Sequence, residues 1–418
     1  MRRRTFAASA LASLIAAAAP LPSAAAAESA GPVPVEPRLE HADIVRANRM
    51  GDPPADRLVA KLLDEGKVAD VNDLFRTIGK LSSTDQKDLE ALPDDLKEFL
   101  VHAAPPPPGW TAQDVARAEQ FYRHHHTVPN MLQGTVGLIG CYLAPTGAHT
   151  LSSTHRLDRP SRRLSQSSRL FMGMSDPGAM TDGTLAASVT KVRLVHASVR
   201  QLHKRSGHWD YTAHGEPVSL KFLTGASLVF SSQVLTAMRN LGIQVTPEDA
   251  DGFATAWHYV DHYLGVPPEF LTPKDARVGE RVWARERDTY KEWAPSPAGS
   301  RMTGYALQYY RELLPPGLSD AFISMVRTAL GDTYADMVDI PRSPLDLPVT
   351  LATTGLGILT QHAQDFLGAP AKKLTGADPM AEFIGILTTR FENDVFRPAI
   401  VADQDTEPQL HQELTDNR

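Results

Sequence analysis

Along most of this chain apolar side chains recur at three- and four-residue intervals, the spacing that lines one face of an α-helix. The stretch "ADRLVAKLLDEG" (Ala55 to Gly66) groups Leu58, Leu62 and Leu63 and ends on a glycine suited to a C-terminal cap. Similar spacing runs through "TAQDVARAEQFYRHH", "ATAWHYVDHYLGV", "GLSDAFISMVRTALGDTYADMV" and "DPMAEFIGILTTRFENDVF". Val-rich alternating runs bounded by hairpin turns are nearly absent, and no internal repeat emerges. The pattern predicts an all-α protein.

One predicted helix carries a polar residue where a core side chain belongs. In and around "KVRLVHASVR", Leu185, Val189, Val192, His196, Val199 and His203 share a face, and Arg193, Arg200 and Lys204 lie off it. Thr181 or Asp182 is placed to cap the start, Lys204 and Arg205 suit the negative C-terminal end, and Gly207 is placed to stop the helix. That makes roughly six turns with His196 near the middle, a rigid position for a ligand. A buried imidazole left unpaired costs about 1–3 kcal/mol, so His196 needs a partner, either a backbone carbonyl or a metal. His203, two turns on, is an equal candidate on spacing alone.

The N-terminus changes the picture of where the chain works. Residues 1–27 read as an Arg run, an alanine-rich apolar stretch and a small-residue cleavage region, which is the anatomy of a signal peptide. Arg3-Arg4-Thr5-Phe6 fits the heart of a twin-arginine signal, so the twin-arginine export machinery is the expected partner and an extracellular or periplasmic location follows. That route is often taken by proteins that acquire a cofactor before export. Residues 28–42 read as a flexible leader, 43–104 as an N-terminal helical segment, and 105–400 as the main helical domain, entered through the stiff Pro105–Pro108 run. Residues 401–418 read as a disordered tail. Loss of Arg2, Arg3 and Arg4 takes the net charge from −7 to −10, which disfavours a nucleic-acid partner. Cys141 is the single cysteine, so no intramolecular disulfide forms and Cys-based metal sites are excluded.

Three further clusters carry candidate chemistry. His124-His125-His126 look metal-like, but neighbours on a helix fan out by about 100° each, so a solvated helix end is the favoured reading. His258 and His262 stand at i and i+4, able in principle to share a metal, yet no Glu takes the metalloprotease position and an aromatic pocket-lining helix fits better. In "GAHTLSSTHRLDRPSRRLSQSSRLF", Arg162 and Arg163 with Ser165, Ser167 and Ser168 suit an anion or bound oxygen, or else a solvated basic face.

Taken in order, "RRLSQSSRLF", "KVRLVHASVR" and "WHYVDHYLGVP", with the earlier "PPPPGW" and "CYLAPTGAHTL", resemble the latex-clearing proteins and their wider MpaB-type oxygenase family. The likeness runs from near Asp56 to Phe396, and Arg-Leu-Val-His-Ala is its most specific element. The resemblance implies a globin-like helical core that binds haem b, with additional N- and C-terminal helices and His196 as the proximal iron ligand. It implies dioxygen as co-substrate and a hydrophobic isoprenoid or polymer, such as polyisoprene, as the molecule cleaved. Arg163 carries over as a distal, cofactor-side residue, and Ser167 stands where the family has a threonine hydroxyl. Two positions depart: Gln166 replaces a family lysine, and His149 replaces a glutamate proposed as catalytic base. An imidazole remains able to act as a base near neutral pH.

Overall fold

The computed structural model describes residues 40–70, 72, 92–125, 128–153, 167, 170–314, 318–344 and 346. Among these the regular structure is entirely helical, as the apolar spacing predicts. In chain order the helices are α1 (His41–Ala47), α2 (Pro53–Asp64), α3 (Asp94–Ala103), α4 (Ala112–His125), α5 (Val128–Leu132) and α6 (Leu138–Leu143). They continue as α7 (Pro145–Ser153), α8 (Thr184–Ser206), α9 (Tyr211–His214), α10 (Leu220–Leu228), α11 (Val234–Asn240) and α12 (Pro247–Tyr263). The last four are α13 (Ala276–Ala284), α14 (Pro297–Leu313), α15 (Leu318–Leu330) and α16 (Asp332–Met337). The pattern at residues 378–396, residues 1–39 and the tail lie outside the described residues.

Three π-helical turns interrupt this ladder, at Gln133–Gly137, Val229–Gln233 and Arg285–Thr289. Such turns insert a residue into the i→i−4 pattern and often mark functional positions. They join α5 to α6, join α10 to α11, and extend α13.

The main core forms where α4 lies along α12. Phe121 stacks on Phe253 with ring centroids 4.4 Å apart. The close approach depends on Gly252, because a Cβ there would sit 2.4 Å from the Arg117 carbonyl oxygen. Thr246 caps α12 by accepting from Asp249 N, Pro247 follows at the first helical position, and Gly265 (φ 81°) ends the element sharply.

Helix α8 is buried on two sides. Its expected face is in the main core through Leu185, Val189 and Val199. Its other side, Leu194 and Ala197, joins Leu58, Leu62, Leu96 and Leu100 of α2 and α3 in a second apolar cluster. Arg193 and Arg200, although off the apolar face, are therefore not solvated. Arg193 reaches Asp52 (Nη2 to Oδ1, 2.9 Å) and Arg200 reaches Asp56 (Nε to Oδ1, 2.7 Å) and donates to the Val218 carbonyl. Arg200 is 1% exposed. Backbone bonds from Glu216 N to Asn48 O and from Leu220 N to Met50 O tie the same N-terminal segment to the loop beyond α8.

The ends of α8 depart partly from expectation. Gly207 closes it in the left-handed conformation (φ 68°), as expected. At the start the cap position belongs to Gly183 (φ 85°), and not to Thr181 or Asp182. Asp182 still satisfies the first turn by accepting from Thr184 N at 2.9 Å, because a left-handed glycine turns the chain so that the carboxylate reaches back to it.

Candidate functional site

His196 lies at the middle of α8, as its spacing predicts. Its imidazole is half-buried. Nδ1 is buried with no hydrogen-bond partner. Burial, and then the Arg200 charge, push its pKa down to about 3 against the opposing pull of Asp52. The ring is consequently neutral across the physiological range. A neutral imidazole without a protein partner, fixed on a helix held from both sides, is the donor that haem iron requires. The residues around His196 thus fit a haem group, which His196 would hold.

His203, the rival on spacing, is accounted for by the protein itself. Its Nε2 lies 3.0 Å from Ser153 Oγ on α7, and its ring packs on Trp209. Burial, with the neighbouring His149, lowers its pKa to about 4.

His149 sits on α7 within this same group. It stacks on His214 of α9 with centroids 3.8 Å apart and leans on Trp209 at 5.1 Å. Burial first, and the His214 ring second, hold its pKa below the usual imidazole value. The structure therefore brings His149 together with the His203 end of α8, through Ser153, Trp209 and His214. Trp209 and His214 escaped the sequence reading, although "GHWDYTAHG" packs four aromatic or imidazole rings into a capped turn. Asp210 caps α9 by accepting from Thr212 N and Ala213 N, and Trp209 Nε1 anchors on the Gly215 carbonyl at 2.9 Å.

Of the distal candidates, Ser167 is helical and half-buried. Arg162, Arg163, Ser165, Gln166 and Ser168 lie outside the described residues.

Among the described residues, the other candidate histidines have structural partners. His258 Nδ1 donates to the Thr272 carbonyl at 2.8 Å, and His262 Nε2 to the Pro105 carbonyl at 3.1 Å. The His262 bond ties the end of α12 to the proline connector, and the His258 bond ties it to the segment before α13. The solvated reading of the histidine run holds for His124, which is exposed although paired, and needs correction for His125, whose side chain is 9% exposed. His124 Nδ1 donates to Asp249 Oδ1 at 2.9 Å, and His125 Nε2 is 3.4 Å from Oδ2 of the same buried carboxylate. Burial alone would raise the Asp249 pKa, but the His124 bond and the two imidazoles hold it low. The reason is tertiary: α12 brings an acid 125 residues away onto the end of α4. His126 lies outside the described residues. Among the described residues no group of three or more His, Cys, Asp or Glu is arranged to hold a metal ion, and no helix is long and apolar enough to cross a membrane.

Residues 122–377 match the family described as ER-bound oxygenase mpaB/B'/Rubber oxygenase, catalytic domain. The chain is 27% identical over 306 residues to a rubber oxygenase from Streptomyces sp. (strain K30), covering 70% of this chain and 72% of that protein. Its fold is similar to a solved structure of latex clearing protein LCP in the closed state, with a TM-score of 0.65 and 22% identity. That likeness spans 85% of this chain and 95% of the other.

Proposed function

Because the chain belongs to the family of mpaB/B' and rubber oxygenase catalytic domains, we propose that it is an exported haem b-dependent oxygenase that cleaves carbon–carbon double bonds of polyisoprene or a related isoprenoid. The observation that carries this reading is the His196 imidazole, neutral, rigidly held and with Nδ1 buried and unpartnered. When bound, haem b would supply the iron at which dioxygen is activated to split an alkene into two carbonyl products.

The protein's own residues would divide the remaining work. His196 would hold the cofactor, with α2 and its two aspartates bracing the helix from behind. Arg163 and Ser167 would orient the distal side through hydrogen bonds. His149 is the candidate base: its lowered pKa leaves one ring nitrogen free of a proton at neutral pH, and its stack on His214 fixes the plane of the ring. Apolar walls would exclude water from the substrate chain. A polymer substrate agrees with export, since a water-insoluble chain cannot enter a cell.

A second reading, an oxygenase of the same kind acting on a smaller prenyl or lipid substrate, is favoured by the two departures at His149 and Gln166. Product analysis on polyisoprene against short terpenoids separates the two. The decisive first experiment is the absorption spectrum and haem content of the purified protein beside His196→Ala. The expected result is an intense Soret band at one haem per chain, lost in a variant that keeps its helical circular dichroism. A folded wild-type protein without haem would overturn the reading.

A further inference from the structure

A cavity lies between α6, α7, α10 and the π turn Arg285–Thr289. Its walls are largely apolar, with Phe222, Val229, Ala226, Trp283 and Trp293 prominent. Its volume of about 40 Å³ makes room for roughly three water-sized positions, enough for the end of a small organic molecule.

Two polar groups on this wall have no partner. Glu286 is 4% exposed, and its Oε1 is buried without a hydrogen bond. Trp293 is 3% exposed, and its indole Nε1–H is likewise buried and unbonded. The other candidates are already engaged. Trp283 Nε1 donates to Gln233 Oε1 at 3.0 Å, and Lys221 is paired with Glu292 at 2.6 Å. The faces of Trp283 and Trp293 are used as well, since both pack beneath the Arg287 guanidinium. An unbonded buried donor and an unbonded buried carboxyl on one cavity are costly to keep unless a ligand completes them.

We propose that this cavity binds an uncharged molecule with an oxygen acceptor at the end of a short apolar stem, an aldehyde or methyl ketone, held by Trp293 Nε1–H and the Glu286 carboxyl. The charge state of the wall selects against a cation. Burial, and then the neighbouring Glu292, push the Glu286 pKa up to about 8, with Lys221 and Arg285 opposing, so the carboxyl is a neutral donor at pH 7. Lys221 and Glu292 neutralise each other, and Cys141 is the other ionisable residue on the lining. A carbonyl is also the group that oxidative alkene cleavage creates. That link to the reaction, though not the site itself, rests on the function proposed above.

The test uses the full chain and pentan-2-one as probe, followed by calorimetry and by the infrared carbonyl stretch. One site is expected, with the stretch displaced to lower frequency by the two donors. Affinity should fall about tenfold per pH unit above about 8, where the carboxyl ionises. Glu286→Gln should retain binding and lose that pH dependence, because the amide donates at every pH. Gly225→Leu should abolish binding, because Gly225 borders the cavity and a Cβ there meets nothing within 4 Å, which leaves the larger side chain to fill the space. Binding unchanged in Gly225→Leu would place the ketone elsewhere, the haem pocket included, and would overturn the proposal. So would pH-independent binding to the unmodified protein, or tighter binding of pentan-2-amine. None of these outcomes depends on haem, so failure here and failure of the oxygenase reading are distinct.

Discussion

The two histidines of the α8 apolar face show how much a single position can conceal. His196 and His203 have the same helical register and opposite circumstances: one lacks a partner, whereas the other is 3.0 Å from Ser153. The periodicity made both visible, but it could not choose between them, because the choice lies on α7, fifty residues upstream. The difference has a consequence in acid. A group whose folded pKa is depressed contributes stability that is present above its unfolded value and lost as pH falls. For His203 the window runs from 6.5 down to about 4. Over that window the unfolded chain takes up a proton that the folded ring refuses, at a cost of about 3 kcal/mol. Urea unfolding midpoints measured down this pH range should fall, and should fall less steeply in His203→Gln. An equal slope in both would show that the ring does not titrate as its burial implies.

At the scale of the element, the helix bearing His196 owes its rigidity to a partner that contributes nothing to the apolar face. Arg193 and Arg200 look like ordinary solvated cations in the sequence, yet α2 covers them and supplies Asp52 and Asp56. Burial raises the Asp56 pKa in spite of Arg200, so this pair stabilises less than its 2.7 Å separation suggests. Removing one member is still costly, because the survivor is left buried. Arg200→Met or Asp56→Leu should each lower the unfolding free energy by about 3 kcal/mol, and the double variant Asp56→Leu/Arg200→Met should cost clearly less than the two losses combined. A double-mutant cycle in urea measures this directly; strict additivity would mean that the pair does not couple. Helix α8 and its C-terminal glycine were legible in the sequence, as was the helical character of α2, α4, α12 and α15. The π turns were not, since one inserted residue disturbs a periodic pattern too little to be noticed. The left-handed start at Gly183 also escaped, because a side-chain cap is the commoner device.

For the whole molecule, the all-helical architecture was legible because nearly every element has its own apolar stripe. Apart from His196 and His203, which the periodicity itself singled out, the candidate site was legible only where the resemblance reached it. His149 was identified by position, but its surroundings, Trp209 and His214, come from a turn beyond the end of α8. The proposed export belongs to this scale too. Replacing Arg3 and Arg4 with lysine should block passage through a twin-arginine route and leave unprocessed protein inside the cell. Detection by immunoblot of fractionated cells checks this; normal export of the variant would indicate a plain secretory route.

The strap formed by α2 also has a duration. Asp52 and Asp56 meet arginines 141 and 144 residues further along the chain. At synthesis rates of about 5–20 residues per second, these aspartates leave the ribosome on the order of 10 s before their partners exist. Through that interval the brace has been made and the His196 helix has not. The cofactor helix and its brace must therefore be assembled late, out of the oldest and the newest parts of a half-finished chain.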